Sequence, residues 1–91
     1  MKINEAMKKF RLPNPATPED LEKAYRYVIN FGDEILLAGH HYTGDGKFTF
    51  YGAIYEYLSD GRTYDSFIGL RAVSDAEFSD EGHALAWAME H

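Results

Sequence analysis

Residues 47–58, KFTFYGAIYEYL, lie between two turn signals, Thr43-Gly44-Asp45-Gly46 and Ser59-Asp60-Gly61-Arg62. The stretch is rich in aromatic and β-branched side chains, which suit a pleated surface. Each flanking segment contains Asp-Gly, a dipeptide that accepts the positive φ angles of a type I′ hairpin turn. The pattern predicts the central strand of a three-stranded antiparallel sheet, with strands over residues 34–42, 47–58 and 63–73.

If both turns are two-residue loops, His41 faces Phe50, Leu37 faces Ile54, Tyr57 faces Tyr64 and Ile54 faces Phe67. Gly39, Gly52 and Gly69 then fall in one row. Side chains alternate along a strand, so Leu36, Ala38, His40 and Tyr42 should share a face with Tyr51, Tyr55, Tyr57 and Tyr64. A glycine row would let a helix approach the backbone or let the sheet bend.

The flanks read as helices. Asn4 can cap a short helix over 4–10, and Leu12-Pro13-Asn14-Pro15-Ala16 is a stiff connector because each proline restricts its neighbour. Thr17, with Pro18 at the first helical position and Glu19 and Asp20 in the first turn, marks a helix start. Leu21, Ala24, Tyr25, Val28 and Ile29 recur at helical spacing, which predicts a helix over 17–31 ended by Gly32. Ser79 would cap a C-terminal helix over 79–90, and 74–78 could form one turn before it. The fold class is therefore α+β, in the order α-α-β-β-β-α, as one domain over residues 1–91.

Charge narrows the partner. The net charge is −6. Residues 1–26 carry a balance of +2, and residues 27–91 carry −8. Such a body disfavours direct binding to phosphate backbones, which rely on Lys and Arg, and favours basic partners. There is no cysteine, hence no disulfide or thiolate metal site. No apolar run is long enough to span a bilayer and no signal-peptide core is present, so the expectation is a cytoplasmic protein without a membrane partner.

Several residues could carry chemistry. His40 and His41 are strand neighbours that point to opposite faces, so they cannot readily share one metal. No metal or cofactor is expected. Glu56 and Asp65 fall opposite one another in the register above, where two carboxylates would raise the pKa of one. Asp75, Glu77, Asp80 and Glu81 form the densest acidic cluster. An array of that kind imitates a phosphate backbone and suits a basic surface. Tyr55, Tyr57 and Tyr64 could line the same interface, since tyrosine buries area while keeping a polar tip.

Residues 17–90 resemble double-stranded RNA-binding domains in their expected αβββα order. Where that family places a basic cluster, this chain has Ser79-Asp80-Glu81-Gly82-His83, the opposite sign. Gly39-His40-His41-Tyr42 resembles the Gly-Ser-His strand motif of HicA-type toxin ribonucleases, with the serine replaced. That resemblance implies a nuclease or hydrolase using His40 or His41 as general base, with Glu56 and Asp65 as further groups. In size and charge the chain is similar to small phage and mobile-element inhibitors, including anti-CRISPR and anti-restriction proteins. The leading expectation is such a non-catalytic, protein-binding module, which occupies a basic or nucleic-acid-binding surface of a larger protein. A homodimer or other homo-oligomer formed through the sheet is the third reading.

Overall fold

The computed structural model describes residues 1–58 and 67–91. Its elements are α1 (Ile3–Phe10), α2 (Pro18–Ala24), β1 (Tyr27–Phe31), β2 (Glu34–Gly44), β3 (Lys47–Tyr57), β4 (Ile68–Val73) and α3 (Glu81–Glu90). The strands form one antiparallel sheet in the order β1-β2-β3-β4. The α+β class holds, but the sheet has four strands, not three, and the run after α1 is αββββα. The order shared with double-stranded RNA-binding domains is therefore lost.

The extra strand comes from the expected helix over 17–31. Thr17 and Asp20 do form a reciprocal capping box with Pro18 behind it. The helix nevertheless stops at Ala24, and Tyr27–Phe31 pairs with β2. Four of those five residues are β-branched or aromatic, and pairing satisfies their backbone groups better than a short helix could. Gly32 does not end a helix. It takes φ 64° in the turn between β1 and β2.

The Asp45-Gly46 turn forms as expected. Asp45 and Gly46 have φ 55° and 72°, and Gly44 pairs with Lys47. A bulge between Tyr42 and Gly44 then shifts the ladder by one residue. His41 faces Thr49, His40 faces Phe50 and Gly39 faces Tyr51. Gly52 faces Ala38 and Gly69 faces Glu56, so the glycine row does not exist. Because side chains alternate, one extra residue exchanges the faces. Tyr51 and Tyr55 share a face with Ile35 and Leu37, not with Leu36 and His40.

Two cores result. The first lies between the sheet and the N-terminal segment, with Ile35, Leu37, Tyr51, Tyr55 and Ile68 against Ala6, Phe10, Leu12 and Leu21. The second is smaller, with Leu36 and Ile54 under Ala88, Leu85 and Trp87 of α3. Gly52 permits this contact, since a Cβ there would lie 2.5 Å from the Ala84 carbonyl oxygen.

The connector after α1 runs along the free edge of β4. Ala16 and Ile68 exchange backbone bonds of 2.9 and 2.8 Å, and Asn14 Oδ1 accepts from the Leu70 amide. Beyond β4 the chain bends at residues 75–76 instead of forming a helical turn. Ser74 pairs with Gly52, and Phe78 exchanges bonds with Phe50. Asp80, not Ser79, caps α3, and no side chain caps α1. Residues 63–66 of the expected third strand lie outside the described residues. Among those described, no helix is long and apolar enough to cross a membrane.

Candidate functional site

β1 pairs with β2 only as far as Ala38, whereas β2 and β3 continue together to the Asp45-Gly46 turn. The outer half of this hairpin, from Gly39 to Tyr51, carries different chemistry on its two faces.

One face meets α1. Phe10 stacks on Tyr51 with centroids 3.9 Å apart, and its ring stands edge-on to His41 at 5.2 Å. Glu77 ties this corner together. Its Oε1 accepts from Thr49 Oγ1 at 2.5 Å and from His41 Nδ1 at 3.0 Å, while Lys9 Nζ lies 3.1 Å from Oε2. An ionised carboxylate only accepts, so the His41 proton on this side sits on Nδ1. The Thr49 hydroxyl chiefly, then His41 and Lys9, hold the Glu77 carboxyl at about 2, against a partial opposing effect of burial. A carboxylate that fixes an imidazole in this way orients it as a base.

A stability consequence follows from that low pKa. The folded value lies below the ordinary carboxylate value of 4.5, so the stabilisation is present above about 4.5 and is lost as pH falls toward 2. Glu77→Gln is expected to lower stability by about 2 kcal/mol at pH 7 by weakening three charge-assisted contacts. Urea midpoints measured from pH 7 down to pH 2 should show the gap between wild type and variant closing in acid. A pH-independent gap would mean that the carboxylate is not held in this network.

The other face is aromatic and open. His40 stands edge-on to Phe48 at 5.3 Å, and Tyr42 lies against Phe48 at the same separation. Tyr42 is 56% exposed and Phe48 50%. The Gly46 amide donates to the Tyr42 hydroxyl at 3.1 Å, which fixes the ring over the turn. Among the described residues, two clefts that border this face carry Lys or Arg side chains. One of about 370 Å3 is lined by Lys9, Phe10, Arg11, His40, His41, Tyr42 and Phe48. The second, about 420 Å3, shares Phe10 and His40 and adds Arg26, Tyr27 and Glu81.

Residues 12–91 match the family model of nucleotide modification associated domain 4, Nmad4. The chain belongs to this family. No curated protein and no solved structure matches it. Within the Nmad4 match lie His40, His41, Phe48, Thr49 and Glu77; Lys9, Phe10 and Arg11 precede it.

The remaining expected site residues of this Nmad4 chain are dispersed. His40 and His41 do point to opposite faces, one in the aromatic cluster and one on Glu77. Glu56 is exposed, and its cross-strand neighbours are Gly69 and Glu34. Asp65 and Tyr64 lie outside the described residues. Tyr55 is a core residue, not an interface one: it is fully buried and donates to the Pro13 carbonyl at 2.7 Å. Tyr57 is 39% exposed opposite Ile68.

Three of the four clustered acids have structural partners. Asp75 contacts the Met1 amine, Glu77 holds the corner described above, and Asp80 caps α3. The His83 amide, and then its ring, lower the Asp80 pKa. Glu81 lines the second cleft. Among the described residues no three His, Asp or Glu side chains converge as metal ligands. Lys9, Phe10, Arg11, Phe48 and Thr49 are site residues that sequence reasoning missed. Nothing local marks them, because their partners lie in distant parts of the chain.

Proposed function

We propose that this Nmad4 chain is a non-catalytic binding module of a nucleotide-modification system. It engages a larger, nucleic-acid-handling protein through the outer half of the β2–β3 hairpin. The observation that carries this reading is the aromatic face of Tyr42 and Phe48, held in solvent by neighbouring contacts. Rigid aromatic surface contributes much of the energy at protein interfaces and loses little entropy on binding. The negative balance of residues 27–91 steers the chain toward a basic partner. The reading puts the contact on the hairpin because Asp75, Glu77 and Asp80 each have a partner within the chain.

The test uses purified nucleic-acid-handling components of a nucleotide-modification system and measures their affinity for this chain at low and high salt. Tyr42→Ser and Phe48→Ser are each expected to weaken association by about thirtyfold, with circular dichroism unchanged. The inhibitor form of the reading predicts that the partner loses nucleic acid when this chain binds; an accessory form predicts that it does not. Wild-type affinity in both variants overturns the proposal.

A further inference from the structure

We propose that the cleft between the end of α1 and the hairpin binds a nucleobase carrying a 5′-phosphate. This deepens the reading above and rests on it, since both use the hairpin's outer half.

The chain has nine Lys and Arg residues, too few and too scattered in sequence to predict an anion site. The fold gathers three of them, Lys9, Arg11 and Arg26, around the two clefts that share Phe10 and His40. Arg11 takes φ 56° where α1 ends, which places it at the cleft and not along the helix. Among the described residues neither Arg11 nor Arg26 makes an ion pair, whereas Lys9 is held on Glu77. Arg presents a planar fork of donors that matches phosphate oxygens.

The same cleft is also lined by Tyr42, Phe48 and His40. Phe48 contacts His40 edge-on and Tyr42 at a tilt, leaving ring surface exposed. Base stacking on such rings tolerates any base. A cleft of about 370 Å3 falls in the usual size range for small-molecule sites. Stacking surface and phosphate donors in one cleft are the two requirements of a nucleotide. Glu77 pairs with Lys9 and Glu81 lines the second cleft, so Arg11 is the chief phosphate donor of the first, and exposed acids more than a Debye length away are screened.

The same chemistry is found in a free nucleotide and at the end or within a single strand, and the experiment separates them. A deoxynucleoside monophosphate, the matching nucleoside, inorganic phosphate and a short single-stranded oligonucleotide are each titrated into the full chain and followed by amide chemical shifts. Saturable shifts of residues lining the cleft are expected with the monophosphate. The nucleoside and inorganic phosphate should each bind at least about tenfold more weakly, because stacking and phosphate contact both contribute. Arg11→Gln and Phe48→Ser should each lower affinity about tenfold, while Lys23→Gln, which removes the same charge elsewhere, should not.

Saturation by the oligonucleotide alone, with the same variant pattern, supports the site and assigns it to a strand. The inference is overturned by no saturable shift with either ligand at roughly millimolar concentration, the weak end of specific binding. Equal binding by the Arg11 and Phe48 variants also overturns it. If nucleotides fail while Tyr42→Ser and Phe48→Ser still weaken protein association, the cleft inference falls and the protein-binding reading stands. If both fail, the hairpin is not the contact surface.

Discussion

Gly52→Val is expected to strip α3 from the sheet and to destabilise the chain by about 3 kcal/mol or more, at the upper end for an overpacked site. A Cβ at this position would lie 2.5 Å from the Ala84 carbonyl oxygen and 2.7 Å from Trp87 Cε3. Neither obstacle can yield cheaply. The first is helix backbone, and Gly52 is itself tied to Ser74 by bonds through both its amide and its carbonyl. A ten-residue helix has little stability without its docking face. Its loss would expose Leu36 and Ile54, which are fully buried beneath it. The thermal midpoint should fall by about 15 °C for a domain of this size, with reduced far-ultraviolet helical signal. A variant as stable and as helical as wild type would show that α3 does not rest on Gly52.

Tyr51→Ala is expected to cost about 4 kcal/mol, the range for deleting a large buried aromatic. Tyr51 is 1% exposed and occupies the junction of three segments. Its ring stacks on Phe10 of α1, covers Gly39 of β2, and its hydroxyl meets Tyr25 in the link between α2 and β1. Burial, chiefly, raises its pKa well above the ordinary phenol range, with a further rise from the neighbouring Tyr25 hydroxyl. Tyr51→Phe keeps the stack and loses the hydroxyl beside Tyr25, so about 1 kcal/mol is expected. Urea unfolding of both variants separates packing from hydrogen bonding. Equal losses in the two would mean that the hydroxyl, not the ring, holds the junction. The cleft should suffer with Tyr51→Ala, since Phe10, which lines it, stacks on the Tyr51 ring.

Much of this fold was legible in the residues. The Asp45-Gly46 turn, the central strand, the Thr17 capping box and a helix near the C-terminus all depend on neighbours within a few positions. Each has its own local signature: positive φ tolerance, β-branched and aromatic composition, a side chain within reach of an orphan amide. The fourth strand was hidden because Tyr25, Val28 and Ile29 satisfy a helical stripe and a strand equally well. Only the presence of β2 as a pairing partner decides between them. The face assignments failed for a smaller cause, the single-residue bulge beside Thr43, which no local residue preference announces.

The candidate site divides in the same way. Sequence alone determined that His40 and His41 oppose each other across the sheet, because strand alternation requires it, and that the chain carries its positive balance at the N-terminus and its negative balance beyond. It also determined that a stiff proline-bearing connector separates α1 from α2. Only the tertiary structure decided that this connector follows the edge of β4, and so returns α1 across the sheet to the hairpin. That path sets Lys9 and Arg11 beside aromatic residues some thirty positions away, and sets Glu77 between Thr49, His41 and Lys9. Local rules act over a few residues of chain. A cleft made from the end of α1 and a central hairpin is fixed by the burial of the Tyr51 and Phe10 rings between them, a long-range packing term that no window of sequence contains.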